Sequence, residues 1–94
     1  MGMKLPKLSE GNFEIMKVIW QLGEATVASV LEHINHNRRK KIGRTSILVQ
    51  LTRLREYGWL QARKEGRGFI YSAAVDQETA TREIVSDIKE RVFG

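Results

Sequence analysis

The residues with the most chemical potential lie in one stretch, RTSILVQLTRLREYGWLQARKEGRG, residues 44–68. Ile47, Leu48, Leu51 and Leu54 recur at helical spacing, and the run stops at Gly58, where a left-handed cap costs glycine least. At about 100° per residue, the face opposite that stripe centres on Ser46, Val49, Arg53 and Glu56, with Thr45, Gln50, Thr52 and Tyr57 on its flanks. Short hydroxyls, an amide, a guanidinium and one bare valine are groups that read base edges. Gln50 can pair with an adenine edge, Val49 can pack on a thymine methyl, Arg44 can reach a guanine or the backbone, and Arg53 can serve as either kind of contact.

The same inventory is poor in catalytic groups. The chain has no cysteine, hence no thiolate nucleophile, disulfide or thiolate metal site, and it has no phosphate loop of the GxxxxGK[ST] or GxGxxG form. Its one metal-like cluster, Glu32, His33 and His36, lacks the i, i+4 histidine spacing and a further ligand, and is expected to be a solvated helix end. No enzyme activity, metal or cofactor is expected.

Charge sharpens this picture. The net charge is +5, yet residues 1–36 carry −1 and residues 69–94 carry −2. Residues 37–68 hold Arg38, Arg39, Lys40, Lys41, Arg44, Arg53, Arg55, Arg63, Lys64 and Arg67 against only Glu56 and Glu65, a net +8. A basic block that coincides with a groove-reading helix is the footprint of a nucleic-acid face. Arg38, Arg39, Lys40, Lys41, Arg63 and Arg67 are the candidates for phosphate contacts, whereas Arg55 projects toward the core side of its helix and is expected to cover apolar surface or form a structural ion pair.

The elements that must position these groups follow from the pattern. Ninety-four residues support one domain with one small core. Ser9 caps a first helix in which Phe13, Ile15, Met16, Val18, Ile19, Trp20 and Leu22 crowd most of the circumference, ending at Gly23; Gly11 weakens its first turn by up to about 1 kcal/mol. Thr26 caps a second helix with Val27, Val30, Leu31 and Ile34 on one stripe. Residues 35–43, NHNRRKKIG, break the periodicity, and repulsion among four consecutive cations is expected to keep this loop mobile until an anion neutralises it. The third helix follows, with Thr45 and Ser46 near an N-terminus whose free N–H groups can hold a phosphate. Trp59 stands at the junction with two alternating runs about a glycine-containing turn, a β-hairpin in which Phe69, Tyr71 and Ala73 share one face and Ile70 takes the other.

Three helices and a basic hairpin make a winged helix-turn-helix, mainly α with a two-stranded wing, spanning residues 5–75. Asp76 then caps a last helix, in residues 76–94, whose stripe of Ala80, Ile84, Val85, Ile88 and Val92 ends at Phe93 and offers apolar surface to a partner chain. No apolar run approaches the roughly 20 residues of a membrane span. The start, MGMKLPKL, lacks a signal-peptide core, and Pro6 occupies the place where a myristoylation motif needs serine or threonine, so a cytoplasmic location is expected.

Taken together, the IWxxGEATV segment, the helix ending RLxxxGWL, and the GRGFIYS strand leading to RVFG closely resemble the N-terminal domain of the penicillinase-repressor family (BlaI/MecI, with copper-responsive relatives), from about Leu5 to the last residue. The resemblance implies a winged-helix repressor that binds a palindromic operator in double-stranded DNA as a homodimer, with the helix matching Thr45 to Tyr57 in the major groove and its start at Arg44, Thr45 and Ser46. The family usually has a tyrosine followed by two threonines at that start. Arg44 and Ser46 depart from that pattern, as Val49 and Gln50 do from the common residues, so the resemblance does not carry over an operator sequence. Family members continue past RVFG into helices that supply dimerisation and, in some, the bond cut by a membrane sensor protease. The 94 residues are therefore expected to be a trimmed DNA-binding domain or a short form, and Met1-Gly2-Met3, with its second possible start, points to trimming. The alternative is a winged-helix module for RNA or a protein partner. RNA binding would call for stacking by Trp59, Phe69 or Tyr71, of which alternation assigns at least two to packing.

Overall fold

A computed structural model describes residues 5–82. In chain order the elements are α1 (Glu10–Leu22), β1 (Glu24–Ala25), α2 (Val27–Asn35), α3 (Arg44–Glu56), β2 (Leu60–Glu65) and β3 (Gly68–Ala73). Residues 77–82 are again helical and are called α4.

Local chemistry fixes most of these boundaries. The Ser9 hydroxyl accepts from the Asn12 N–H at 3.1 Å to open α1, and Thr26 does the same for Ser29 at the head of α2. Asp76 caps α4 by accepting from the Thr79 N–H at 2.7 Å, and this bond together with the Thr79 hydroxyl holds the Asp76 carboxyl below its ordinary value. The exit from α3 is a Schellman motif. Gly58 adopts a φ of 91°, its N–H donates to Arg55 O at 3.2 Å, and the Trp59 N–H reaches back to Leu54 O at 2.9 Å. The apolar contact that accompanies this motif is supplied by Leu54 and Trp59, both buried.

The sheet is antiparallel with strand order β1-β3-β2. Pairing of Glu65 with Gly68 leaves a two-residue loop, Gly66-Arg67. Gly66 has a φ of 60° and Arg67 has no positive φ, the arrangement of a type II′ turn. The sequence pattern indicates only β2 and β3. The additional strand β1 pairs Glu24 with Ser72 and Ala25 with Tyr71; two residues are too few to leave an alternation, so the expected two-stranded wing is the outer part of a three-stranded sheet.

One core serves all elements. Ile15, Met16 and Ile19 of α1, Val30 and Ile34 of α2, Ile47, Leu51 and Leu54 of α3, and Trp59, Leu60, Tyr71 and Ala80 bury almost all of their surface. Each large side chain contributes about 1.5–3 kcal/mol relative to exposure. Trp59 is buried and Trp20 half-buried, and both satisfy the indole N–H: Trp20 donates to Val75 O and Trp59 to Pro6 O, each at 2.9 Å. The first bond ties the end of β3 to α1, and the second lays the N-terminal segment across the end of α3. The fold is a winged helix-turn-helix, with α2 and α3 forming the helix-turn-helix and β2–β3 the wing. Ala80 anchors the start of α4 in the core; the rest of the expected apolar stripe, from Ile84 to Phe93, lies outside the described residues.

Candidate nucleic-acid interface

The outward face of α3 is exposed along its whole length. Arg44, Thr45, Ser46, Leu48, Val49, Thr52, Arg53, Arg55 and Glu56 all face solvent, while Ile47, Leu51 and Leu54 alone turn fully inward. Leu48 does not join the core, contrary to the periodicity, and is 41% exposed. Its removal from the inward stripe rotates the outward direction by about 20°. Thr45, Val49 and Glu56 therefore lie at the crest, Thr52 comes round toward it, and Gln50 falls off the other edge. Gln50 is half-buried, and a Cβ built on Gly11 would stand 3.1 Å from its amide oxygen. Instead of projecting beside Val49, Gln50 leans on the first turn of α1. With Glu10, Gly11, Glu14 and Arg38 it rims an open cleft of about 480 Å³. Glycine at position 11, costly for helix formation, leaves room for the Gln50 amide, which a Cβ there would crowd by a few tenths of an ångström.

The head of α3 differs from those of α1, α2 and α4. Gly43 stands at its N-cap and offers no side-chain acceptor, so the first N–H groups of the helix, those of Arg44, Thr45 and Ser46, point outward without a cap. A helix end of this kind carries partial positive charge and attracts anions.

The loop before it is tied down by hydrogen bonds and one ion pair. The Asn35 side chain bridges to Ile42, its Nδ2 donating to Ile42 O at 2.9 Å and its Oδ1 accepting from the Ile42 N–H at 2.8 Å. Lys41 Nζ donates to Asn35 O, and Arg38 Nε to Lys40 O. Arg38 also pairs with Glu14 on α1 at 3.2 Å. The carboxylate and carbonyl acceptors offset the repulsion that was expected to free this segment. Arg39 and Lys40 carry no ion pair among the described residues and remain exposed.

The pleat of the wing sorts its cations. Arg63 lies opposite Ile70, and Lys64 opposite Phe69; successive residues point to opposite faces. Arg63 donates through both terminal nitrogens to Glu24 on β1, the Nη2 bond being 3.2 Å, and also lies 3.4 Å from Glu65. Hydrogen bonding to Arg63 holds the Glu24 carboxyl below its ordinary value, and Glu24 in turn raises the Arg63 pKa. Arg63, expected as a phosphate ligand, is engaged in the DNA-free chain in a clasp that crosses β3 from β2 to β1. Lys64 takes the other face with Phe69 and Tyr71. There the Arg55 guanidinium lies 5.6 Å from the Phe69 ring centroid, so Arg55 covers the root of the wing. Lys64 was legible from the hairpin once the turn was fixed at Gly66-Arg67, because the register follows from it. Arg67 sits in the exposed tip.

Of the expected site residues, then, Arg44, Thr45, Ser46, Val49 and Arg53 share the exposed side of α3. Arg39, Lys40 and Arg67 are exposed in the flanking loop and wing, and Lys41 is exposed with its ammonium on Asn35 O. Arg38 and Arg63 are held by carboxylates, and Gln50 is drawn to α1. Of the three aromatic groups at or in the wing, Trp59 and Tyr71 are each only 3% exposed, and Phe69, 39% exposed, carries Arg55 over its ring. His33 turns its Nδ1 to Ser29 O at 2.9 Å, back onto its own helix.

Comparison with known proteins agrees with this architecture. The family model described as penicillinase repressor matches residues 8–94. The penicillinase repressor of Bacillus licheniformis is 31% identical over 74 residues, covering 79% of this chain and 56% of that protein. An uncharacterized 16.5 kDa protein of Latilactobacillus sakei is 25% identical over 88 residues, covering 94% of this chain and 59% of that one. The chain thus spans less than two thirds of the length of these relatives. Among solved structures, the DNA-binding domain of the repressor BlaI superposes with a TM-score of 0.70 at 30% identity, covering 81% of this chain and 90% of that domain. The monomeric form of Bacillus licheniformis BlaI, in complex with the blaP half-operator, gives 0.66 at 30% identity over the same shares. A homodimeric winged helix-turn-helix DNA-binding domain from Mycobacterium bovis gives 0.63 at 19% identity, covering 90% of this chain and 71% of that one, a likeness of fold alone. The family is one of transcriptional repressors, not of enzymes. With the family pattern matched from the first helix to the last residue, and the same fold in relatives of the same family, the chain belongs to the penicillinase-repressor family.

Proposed function

We propose that this chain is the DNA-binding part of a transcriptional repressor, with α3 entering the major groove of a double-stranded operator while the 36–43 loop and the wing hold the backbone. The observation that carries this is the exposed side of α3, where base-reading groups stand next to an uncapped helix end and between two sets of cations. A relative of 30% identity and the same fold binds a half-operator, which supports the same use here. Arg44, Thr45, Ser46, Val49 and Arg53 face the bases or the phosphates beside them. Arg39, Lys40, Lys41, Lys64 and Arg67 neutralise the backbone, and Arg38 joins them only by exchanging Glu14 for a phosphate.

The complete repressor acts as a homodimer on a palindromic operator, residues 5–75 reading DNA and the segment from 76 onward leading to the dimer contact. Binding to chromosomal DNA implies the cytoplasm; none of the described helices is long and apolar enough to cross a membrane. RNA is the weaker alternative, because Trp59 and Tyr71, two of the three wing aromatics that would stack on unpaired bases, are buried.

Selecting bound sequences from random duplex DNA tests the proposal. A single enriched motif, present as two copies related by a dyad, is expected. Binding without enrichment, or displacement of the duplex by structured RNA at equal nucleotide concentration, would count against it.

A further inference from the structure

Besides its inward stripe, α3 carries a second one. Thr45, Leu48, Val49 and Thr52 follow one another at i, i+3, i+4 and i+7 and all face solvent, Leu48 41% and Val49 43% exposed. Neither Leu48 nor Val49 is among the buried core residues or the partly buried ones around them. Each of the four side chains ends in at least one methyl group. The strip is roughly 10 Å long, the rise of about three base pairs. Two neighbouring aliphatic residues on an otherwise polar helix face offer an apolar contact to whatever partner meets this face of α3.

We infer that this strip reads thymine methyl groups, with Leu48 and Val49 as specificity-determining residues and the methyls of Thr45 and Thr52 extending the contact. This rests on the proposed insertion of α3 into duplex DNA. The charge around the strip favours that occupant. Arg44 and Arg53 lie on the same helix, and the segment 37–68 as a whole carries +8. A second copy docking here face to face would bring two such segments together, whereas a duplex neutralises them. Within a duplex, the C5 methyl of thymine is the one apolar group that the major groove presents, and leucine, valine and threonine methyls are its natural complement. An operator for this chain therefore carries thymines at adjacent or nearly adjacent steps opposite the middle of α3, and Leu48, which periodicity assigns to the core, contributes to the choice.

The test replaces thymine by deoxyuridine, which deletes the methyl and leaves the hydrogen-bonding edge unchanged. On the best duplex from the selection, each thymine is substituted in turn, and affinity at fixed salt is measured for the 94-residue chain, Leu48→Ala and Val49→Ala. Both positions are exposed and alanine is a strong helix former, so the fold is kept; unfolding curves check this. The unsubstituted chain is expected to lose roughly four-fold at each of one or two thymines, the worth of one buried carbon. Leu48→Ala should abolish the loss at one of these thymines and Val49→Ala at the other. If every deoxyuridine duplex binds as tightly as its parent while binding remains steeply salt-dependent, the methyl-reading inference is overturned and DNA binding stands. If no duplex binds with salt dependence, both fall. A change of oligomeric state in Leu48→Ala, with thymine preference intact, would overturn it in favour of a second copy.

Discussion

The two arginines of the wing provide a sharp test, because they lie four residues apart and the structure gives them opposite roles. Arg63 is clasped by Glu24 and Glu65, whereas Arg67 stands in the turn with no ion pair among the described residues. Six cations of the loop, α3 and the wing are likewise exposed with no ion pair or side-chain hydrogen bond among the described residues, Arg39, Lys40, Arg44, Arg53, Lys64 and Arg67, whereas Lys41 is engaged by Asn35 O and Arg55 by the Phe69 ring. If each neutralises one phosphate, log affinity falls against log salt with a slope of about −5 per subunit, or roughly a thousand-fold between 50 and 200 mM. One contact accounts for about 0.9 of that slope, roughly 3.5-fold over the same interval. Arg67→Ala should therefore flatten the line by about 0.9, and Arg63→Ala should leave its slope unchanged. Glu24→Gln opens the clasp from the other side and should behave like Arg63→Ala, shifting the line at most without tilting it. Fluorescence anisotropy titrations of a labelled duplex at five or six salt concentrations read all three slopes. Equal flattening by Arg63→Ala and Arg67→Ala would refute the assignment of Arg63 to the sheet.

Further expectations follow from the same geometry. Leu51 is wholly buried at the centre of α3, so Leu51→Ala should cost about 2–5 kcal/mol in urea unfolding; a loss under 1 kcal/mol would contradict the assigned core. Gly58→Ala places a side chain at a φ of 91° and within 3.3 Å of Leu5, so it should destabilise by about 1–2 kcal/mol, which a lowered urea midpoint at unchanged m-value would report. Asp76 has a depressed carboxyl pKa in the folded chain because it accepts from Thr79, so its contribution is present above its ordinary value near 3.8 and is lost as pH falls through the folded value. Asp76→Asn keeps the cap but not the charge; the stability difference from the parent chain should be constant above about pH 5 and shrink below pH 4, and a difference independent of pH would exclude the carboxylate as its source. Because Gln50 leans on α1, Gln50→Ala should leave the selected sequence unaltered, as Lys40→Ala should while weakening all sequences alike; a new motif for Gln50→Ala would return that residue to the groove.

Much of the fold is legible in the sequence because its boundaries are set by local chemistry. Ser9, Thr26 and Asp76 cap the helices that their positions announce, and Gly23 and Gly58 end α1 and α3 with the positive φ that glycine tolerates. What remains hidden depends on contacts distant in the chain. Strand β1 exists only because β3 offers its edge to Glu24 and Ala25, residues too few to show a pattern. Arg63 looks like a DNA ligand until its register places it across β3 from Glu24, 39 positions away. Leu48 has the spacing of a core residue, but the inward side of α3 is already filled by Ile47, Leu51 and Leu54. Gln50 lies at the edge of the outward face and packs beside Gly11 of α1, a contact between two elements that no single segment displays.

The most direct measurement of the interface is a residue-by-residue map of amide chemical shifts as the selected duplex is added to the chain. Perturbations should concentrate at Arg39, Lys40, along α3 from Arg44 to Arg53, and at Lys64 to Arg67 of the wing, leaving Glu24 and the exposed end of α1 near Leu22 unmoved. A map centred on Leu22 and Glu24, with Thr45 to Arg53 unaffected, would contradict the placement of α3 in the groove.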